Sequence, residues 1–77
     1  MSVTAYVMVK AHTGDADRLR KDIAALAGVE TVDIVAGDMD LVTKVAVDDP
    51  SEVREIAATT VRSLDGVEDT QTYIAMD

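Results

Sequence analysis

Apolar and polar positions alternate from Val3 to Ala11. The β-formers Val3, Tyr6, Val7, Met8 and Val9 fall in that stretch, which predicts a first strand. His12-Thr13-Gly14 breaks it. Asp15 is then suited to cap a helix in which Ala16, Leu19, Ile23, Leu26 and Ala27 recur at three- and four-residue spacing. Arg18, Arg20, Lys21 and Asp22 fall mostly outside that stripe, and Gly28 stands at the expected C′ position. Over residues 29–36 the period returns to two. Glu30, Val32, Ile34 and Ala36 lie on one side, with Thr31, Asp33 and Val35 on the other. Gly37-Asp38-Met39-Asp40 is a short hairpin connection to a third strand, Leu41 to Val47.

Asp49-Pro50-Ser51-Glu52 is the clearest local signal. Asp49 suits the N-cap, Pro50 the first helical position and Glu52 the capping box. The following helix is expected to bury Val53, Ile56, Ala57, Val61 and Leu64, and Gly66 ends it before a last strand over 67–76. The two halves echo each other, because Leu26-Ala27-Gly28-Val29-Glu30 and Leu64-Asp65-Gly66-Val67-Glu68 both run from a helix end through glycine into a strand. Two such halves predict an α+β, ferredoxin-like βαββαβ sandwich: a four-stranded antiparallel sheet with two helices on one face. The opposite face is expected to be apolar over part of its length, because Val7-Met8-Val9, Val45-Ala46-Val47 and Tyr73-Ile74-Ala75-Met76 do not alternate. A second protomer packed there would explain that and would stabilise a small domain.

A chain of 77 residues allows one domain, 1–77, which folds with little margin alone. With no cysteine and the single His12, neither disulfides nor a metal site is expected to supply stability, which leaves oligomerisation. Fifteen acidic against seven basic residues give a net charge of −8, which repels phosphate backbones and argues against direct nucleic-acid binding. The excess of aspartate and the scarcity of lysine resemble proteins of extreme halophiles, so a haloarchaeal origin is expected. The plainer reading is an acidic domain kept soluble by charge. No apolar run spans a membrane and residues 1–4 lack signal-peptide features, so the reading is cytoplasmic.

Candidate chemistry is sparse. His12 lacks a nucleophile or an orienting carboxylate in a suitable setting and reads as a solvated loop residue. Asp15/Asp17 and Asp48/Asp49 read as helix caps. Gly37-Asp38-Met39-Asp40 is too short for an EF-hand loop. As turn chemistry it is ordinary, but its carboxylates and exposed amides also suit the two ends of an amino acid. Thr70, Thr72 and Tyr73 carry hydroxyls on the last strand.

The order of these segments resembles the effector domain (RAM domain) of the Lrp/AsnC family over nearly the whole chain. The resemblance rests on Leu26, Gly28 and Val29; on Gly37, Asp38, Asp40, Leu41, Val42, Lys44 and Val45; on Leu64, Gly66 and Val67; and on Asp69, Thr70, Thr72 and Tyr73. It implies a transcription-regulator module that binds amino acids, dimerises through its sheets and often assembles into octameric rings, with effectors near the hairpin between dimers. By the same resemblance Gly37, Asp38, Met39, Asp40 and Leu41 match the effector-binding hairpin. Asp33, Tyr73, Ile74 and Ala75 match positions linked to the effector response, and Thr70 and Thr72 match strand hydroxyls that approach it. The family's helix-turn-helix has no room before the first strand, and Met39 stands where an aromatic is common. The expectation is a stand-alone homo-oligomeric sensor of a small effector, with no cofactor, no enzymatic activity, no direct contact with nucleic acid or membrane, and possible co-assembly with full-length regulators. The alternatives are a ligand-free structural partner of such regulators, or a dimeric ferredoxin-like enzyme.

Overall fold

The computed structural model describes residues 2–76; Met1 and Asp77, the ends of the expected single domain, lie outside the described residues. The elements are β1 (Val3–Ala11), α1 (Ala16–Ala24), β2 (Val29–Ile34), β3 (Leu41–Val47), α2 (Pro50–Arg54) and β4 (Val67–Ile74), and a π-helical segment, Glu55–Val61, continues α2 without a break. All strand pairs are antiparallel, in the order β2-β3-β1-β4, so β2 and β4 are the edges. This is the ferredoxin-like arrangement expected from the sequence.

Cross-strand partners share a face of the sheet, so the register sorts the side chains. Val7 and Val9 of β1, with Thr43, Leu41 and Val45 of β3, lie on the helix-covered face and are fully buried. Leu19 and Ile23 of α1 and Val61 of the π-helical segment close the same core. On the open face, Tyr6 is paired with Tyr73 and Lys44, and Met8 with Val42 and Gln71. The expected apolar character of this face therefore narrows to a patch of Tyr6, Tyr73, Met8 and Val42, bordered by polar side chains. A bulge between Val29 and Thr31 puts Val29 on the same side as Val32, beyond the reach of a strict period of two.

Both glycine turns are built alike. Leu26 donates to the Ile23 carbonyl at 3.0 Å and Val29 to Leu26 at 3.3 Å; Leu64 donates to Val61 at 3.1 Å and Val67 to Leu64 at 3.3 Å. The internal echo in the sequence is thus one repeated hydrogen-bond pattern. It also corrects the expected end of the first helix: α1 stops at Ala24, because the chain tightens there to bring Leu26 onto the core, and Gly28 lies beyond the cap.

Three other boundaries differ. Asp49 makes the expected capping box, accepting from the Ser51 amide at 2.9 Å while Glu52 accepts from the Asp49 amide at 2.9 Å. Asp15, by contrast, makes no side-chain cap; its carboxylate pairs with Arg18 at 3.4 Å. The second helix is α-helical only to Arg54. Its buried residues Val53, Ala57 and Val61 recur every four positions, a spacing that drifts around an α-helix of 3.6 residues per turn and that a wider turn holds on one face. Strand β2 ends at Ile34, where Val35 donates to the Asp40 carbonyl at 2.9 Å and closes the connection. Strand β4 ends at Ile74, two residues before the expected end, the last bond being Ala75 to the Thr4 carbonyl at 2.9 Å.

Candidate functional site

The β2–β3 connection is not a free loop. Asp40 donates its amide to the Val9 carbonyl at 2.9 Å, and its Oδ2 accepts from the Ala11 amide at 2.8 Å. Lys10 Nζ donates to the Asp38 carbonyl at 3.1 Å. Three bonds therefore tie the connection to the end of β1, at the place where the β1–β4 register shifts between Lys10 and Ala11. The pairing fixes what the turn presents. Gly37 and Asp38 are exposed, Met39 and Asp40 are half-buried, and Leu41 is fully buried, so Leu41 belongs to the core and presents nothing to a ligand in one protomer. The Asp38 carboxylate engages no partner among the described residues, and the amides of Gly37, Asp38 and Met39 donate to none. A carboxylate beside unengaged N–H groups offers complementary partners for an ammonium and a carboxylate.

The other candidate residues lie elsewhere in the protomer. Thr70 is paired with Val9, and Val9 with Leu41, so Thr70 sits in the same cross-sheet row as the start of β3, two strands or about 10 Å away. Thr72 and Ile74 follow on the helix-covered face, and Ile74 is about 13 Å further along the strand than Thr70. Tyr73 points to the open face, where its hydroxyl donates to Gln71 Oε1 at 3.0 Å. Asp33, paired with Val42, lies on the open face of the opposite edge strand. One protomer thus brings the hairpin residues together but does not bring Thr70, Thr72, Tyr73, Ile74 and Ala75 to them.

Thr70, Thr72 and Ile74 line a groove of about 300 Å³ between β4 and the helix formed by α2 and its π-helical continuation. Arg54 and Arg62 line it too, and sequence reasoning did not single them out. The signal was present: Pro50, Arg54, Ala58 and Arg62 recur every four residues, one position after the buried stripe of Val53, Ala57 and Val61. A larger hollow of about 440 Å³ lies by the Gly28 turn, with Asp48, Glu52 and Glu55 among its lining, and no candidate residue reaches it. His12 is exposed, with Nδ1 4.0 Å from Glu68. Among the described residues no group of three metal-ligating side chains is assembled, and no helix is long and apolar enough to cross a membrane.

The profile of the Lrp/AsnC ligand binding domain matches residues 4–77. The chain belongs to the Lrp/AsnC family. The leucine-responsive regulatory protein of Haemophilus influenzae is 40% identical over 55 residues, covering 71% of this chain and 33% of that protein, so the chain spans about a third of its length. The crystal structure of TTHA0845 from Thermus thermophilus superposes with a TM-score of 0.93 at 33% identity, covering 97% of this chain and 94% of that one. The transcriptional regulator NMB0573 of Neisseria meningitidis, solved as a complex with L-Met, shares the fold with a TM-score of 0.85 at 18% identity, covering 97% of this chain and 50% of that one. This chain therefore has the fold and sequence of the ligand binding domain found in a family of regulators.

Proposed function

We propose that this domain senses an amino acid at the Gly37–Asp40 turn and transmits occupancy through its state of assembly, without contacting DNA itself. The observation that carries the reading is the anchoring of the turn. Its backbone is held by β1, while the Asp38 carboxylate and three backbone amides remain unengaged. Such a preorganised pair of acceptor and donors suits a zwitterion at little ordering cost. The L-Met complex of the Neisseria meningitidis regulator supports an amino acid as the ligand class. Tyr73 lies on the open face, away from the turn and in the dimerisation patch, which supports a site completed by a second protomer. The Tyr6–Tyr73–Met8–Val42 patch supports dimerisation through the open face. The net charge of −8 repels phosphate backbones, which supports a domain that does not itself contact DNA and that acts through homo-oligomers or mixed assemblies with DNA-binding regulators.

One observation favours the second reading, a ligand-free structural partner: the Asp40 carboxylate is already bonded to the Ala11 amide. Titration of the protein with amino acids, followed by its backbone amide resonances, separates the two. Saturable shifts at residues 37–40 support the sensor. An unperturbed turn across all twenty supports the structural partner.

A further inference from the structure

The groove along β4 differs in chemistry from the turn. Fifteen of the 77 residues are acidic, yet none of the groove's lining residues is, and two arginines line it. Val53 and Ala57 form a buried apolar floor, and Ile74, an exposed large apolar residue, forms the strand-side wall. The hydroxyls of Thr70 and Thr72 project from the same face of β4. Arg62 is shared with Asp69 at 3.6 Å, whereas Arg54 has no ion-pair partner among the described residues. The two arginines are eight positions apart, which sets the groove's length at roughly 10 Å.

We infer that this groove is a second ligand site, distinct from the Gly37–Asp40 turn, which takes a small monocarboxylate with an apolar chain: a short fatty acid or a 2-oxo acid, not an amino acid. The guanidinium of Arg54 provides a two-pronged donor for the carboxylate. The floor of Val53 and Ala57 and the wall of Ile74 accept the chain. An ammonium group would find no carboxylate among the lining residues, and its desolvation there would be uncompensated. That absence is what discriminates against a zwitterion. The turn, with Asp38 and Asp40, has the opposite preference. The inference does not depend on the turn binding anything.

The test uses the full chain and four probes: hexanoate, 4-methyl-2-oxopentanoate, leucine and hexylamine, each followed by backbone amide resonances at fixed salt. The two carboxylates are expected to shift residues 53–62 and 70–74 saturably, with leucine at least tenfold weaker at these positions and hexylamine without effect there. Arg54→Gln, at an exposed position, is expected to weaken hexanoate about tenfold with an unchanged melting temperature, and Arg54→Lys to recover part of the loss. Equal binding of hexylamine, unchanged affinity in Arg54→Gln, or carboxylate shifts confined to residues 37–40 would each overturn the assignment. Loss of leucine shifts at the turn with the groove still responding would count against the sensor reading alone.

Discussion

The carboxylate of Asp40 accepts the backbone amide of Ala11 at 2.8 Å, which makes this residue an anchor of the β2–β3 connection. Asp40→Ala leaves that part-buried amide without its acceptor and is expected to cost about 1–2 kcal/mol. Asp40→Asn, which keeps a carbonyl acceptor, should cost less than half as much. Urea unfolding with an unchanged m-value measures both. Loss of binding in Asp40→Ala is therefore ambiguous on its own. Asp38→Ala, which removes an exposed carboxylate without a described partner, is the cleaner variant: lost amino-acid binding at full stability is the expected result.

Thr43 is fully buried in the centre of the sheet, opposite Val7 and Val32, and its hydroxyl has no hydrogen-bond partner among the described residues. Replacing it by the near-isosteric valine removes an unsatisfied polar group and adds a methyl to an apolar site. Thr43→Val is expected to stabilise by about 1 kcal/mol, a rise in melting temperature of roughly 4–8 °C for a domain of this size. Thermal unfolding followed by circular dichroism checks the sign.

Gly66 and Gly14 both have positive φ, +94° and +88°, but their surroundings differ. A Cβ on Gly66 would lie 2.6 Å from Asp15 Oδ2 and 2.8 Å from Arg18 Nη2, whereas at Gly14 nothing lies within 4 Å. Both Gly→Ala changes incur the left-handed backbone cost of about 1–2 kcal/mol. Only Gly66→Ala also displaces the Arg18 guanidinium, which donates to the Asp65 carbonyl at 2.8 Å. Gly66→Ala is expected to be the more destabilising, and the gap should narrow in an Arg18→Ala background, with the remainder due to the Asp15 carboxylate. A double-mutant cycle measures the coupling.

The Ser51 backbone amide, with its hydrogen bond to the carboxylate, holds Asp49 below the ordinary aspartate range. A depressed native pKa stabilises the fold above the unfolded-state value, and the contribution is lost as pH falls through the native value. Asp49→Asn should therefore be less stable than the parent at neutral pH, with the difference shrinking in the acid range. Melting temperatures of both proteins across that window test it; a difference that grows on acidification would contradict the assignment.

The order of elements was legible in the sequence because each boundary carries local chemistry. The Asp49-Pro50-Ser51-Glu52 cap formed as read, and the repeated Leu-x-Gly-Val turns fold with the same bonds. The misses came where tertiary contacts decide. The end of α1 depends on Leu26 reaching the core, and the π-helical segment depends on the four-residue spacing of Val53, Ala57 and Val61 against the sheet. For the candidate site, the turn residues are contiguous in the chain, so their proximity is legible directly. The anchoring of Asp40 by Ala11 and the pairing of Arg54 with the β4 groove are not, since both join residues far apart in the chain.

The central claim, that the domain binds an amino acid, is tested most directly by thermal melts in molar KCl with each of the twenty amino acids at millimolar concentration. A ligand bound only by the folded state raises the melting temperature by mass action. The account predicts a selective rise for one or a few amino acids, absent in Asp38→Ala. Cooperative melts that do not move with any of the twenty would contradict it.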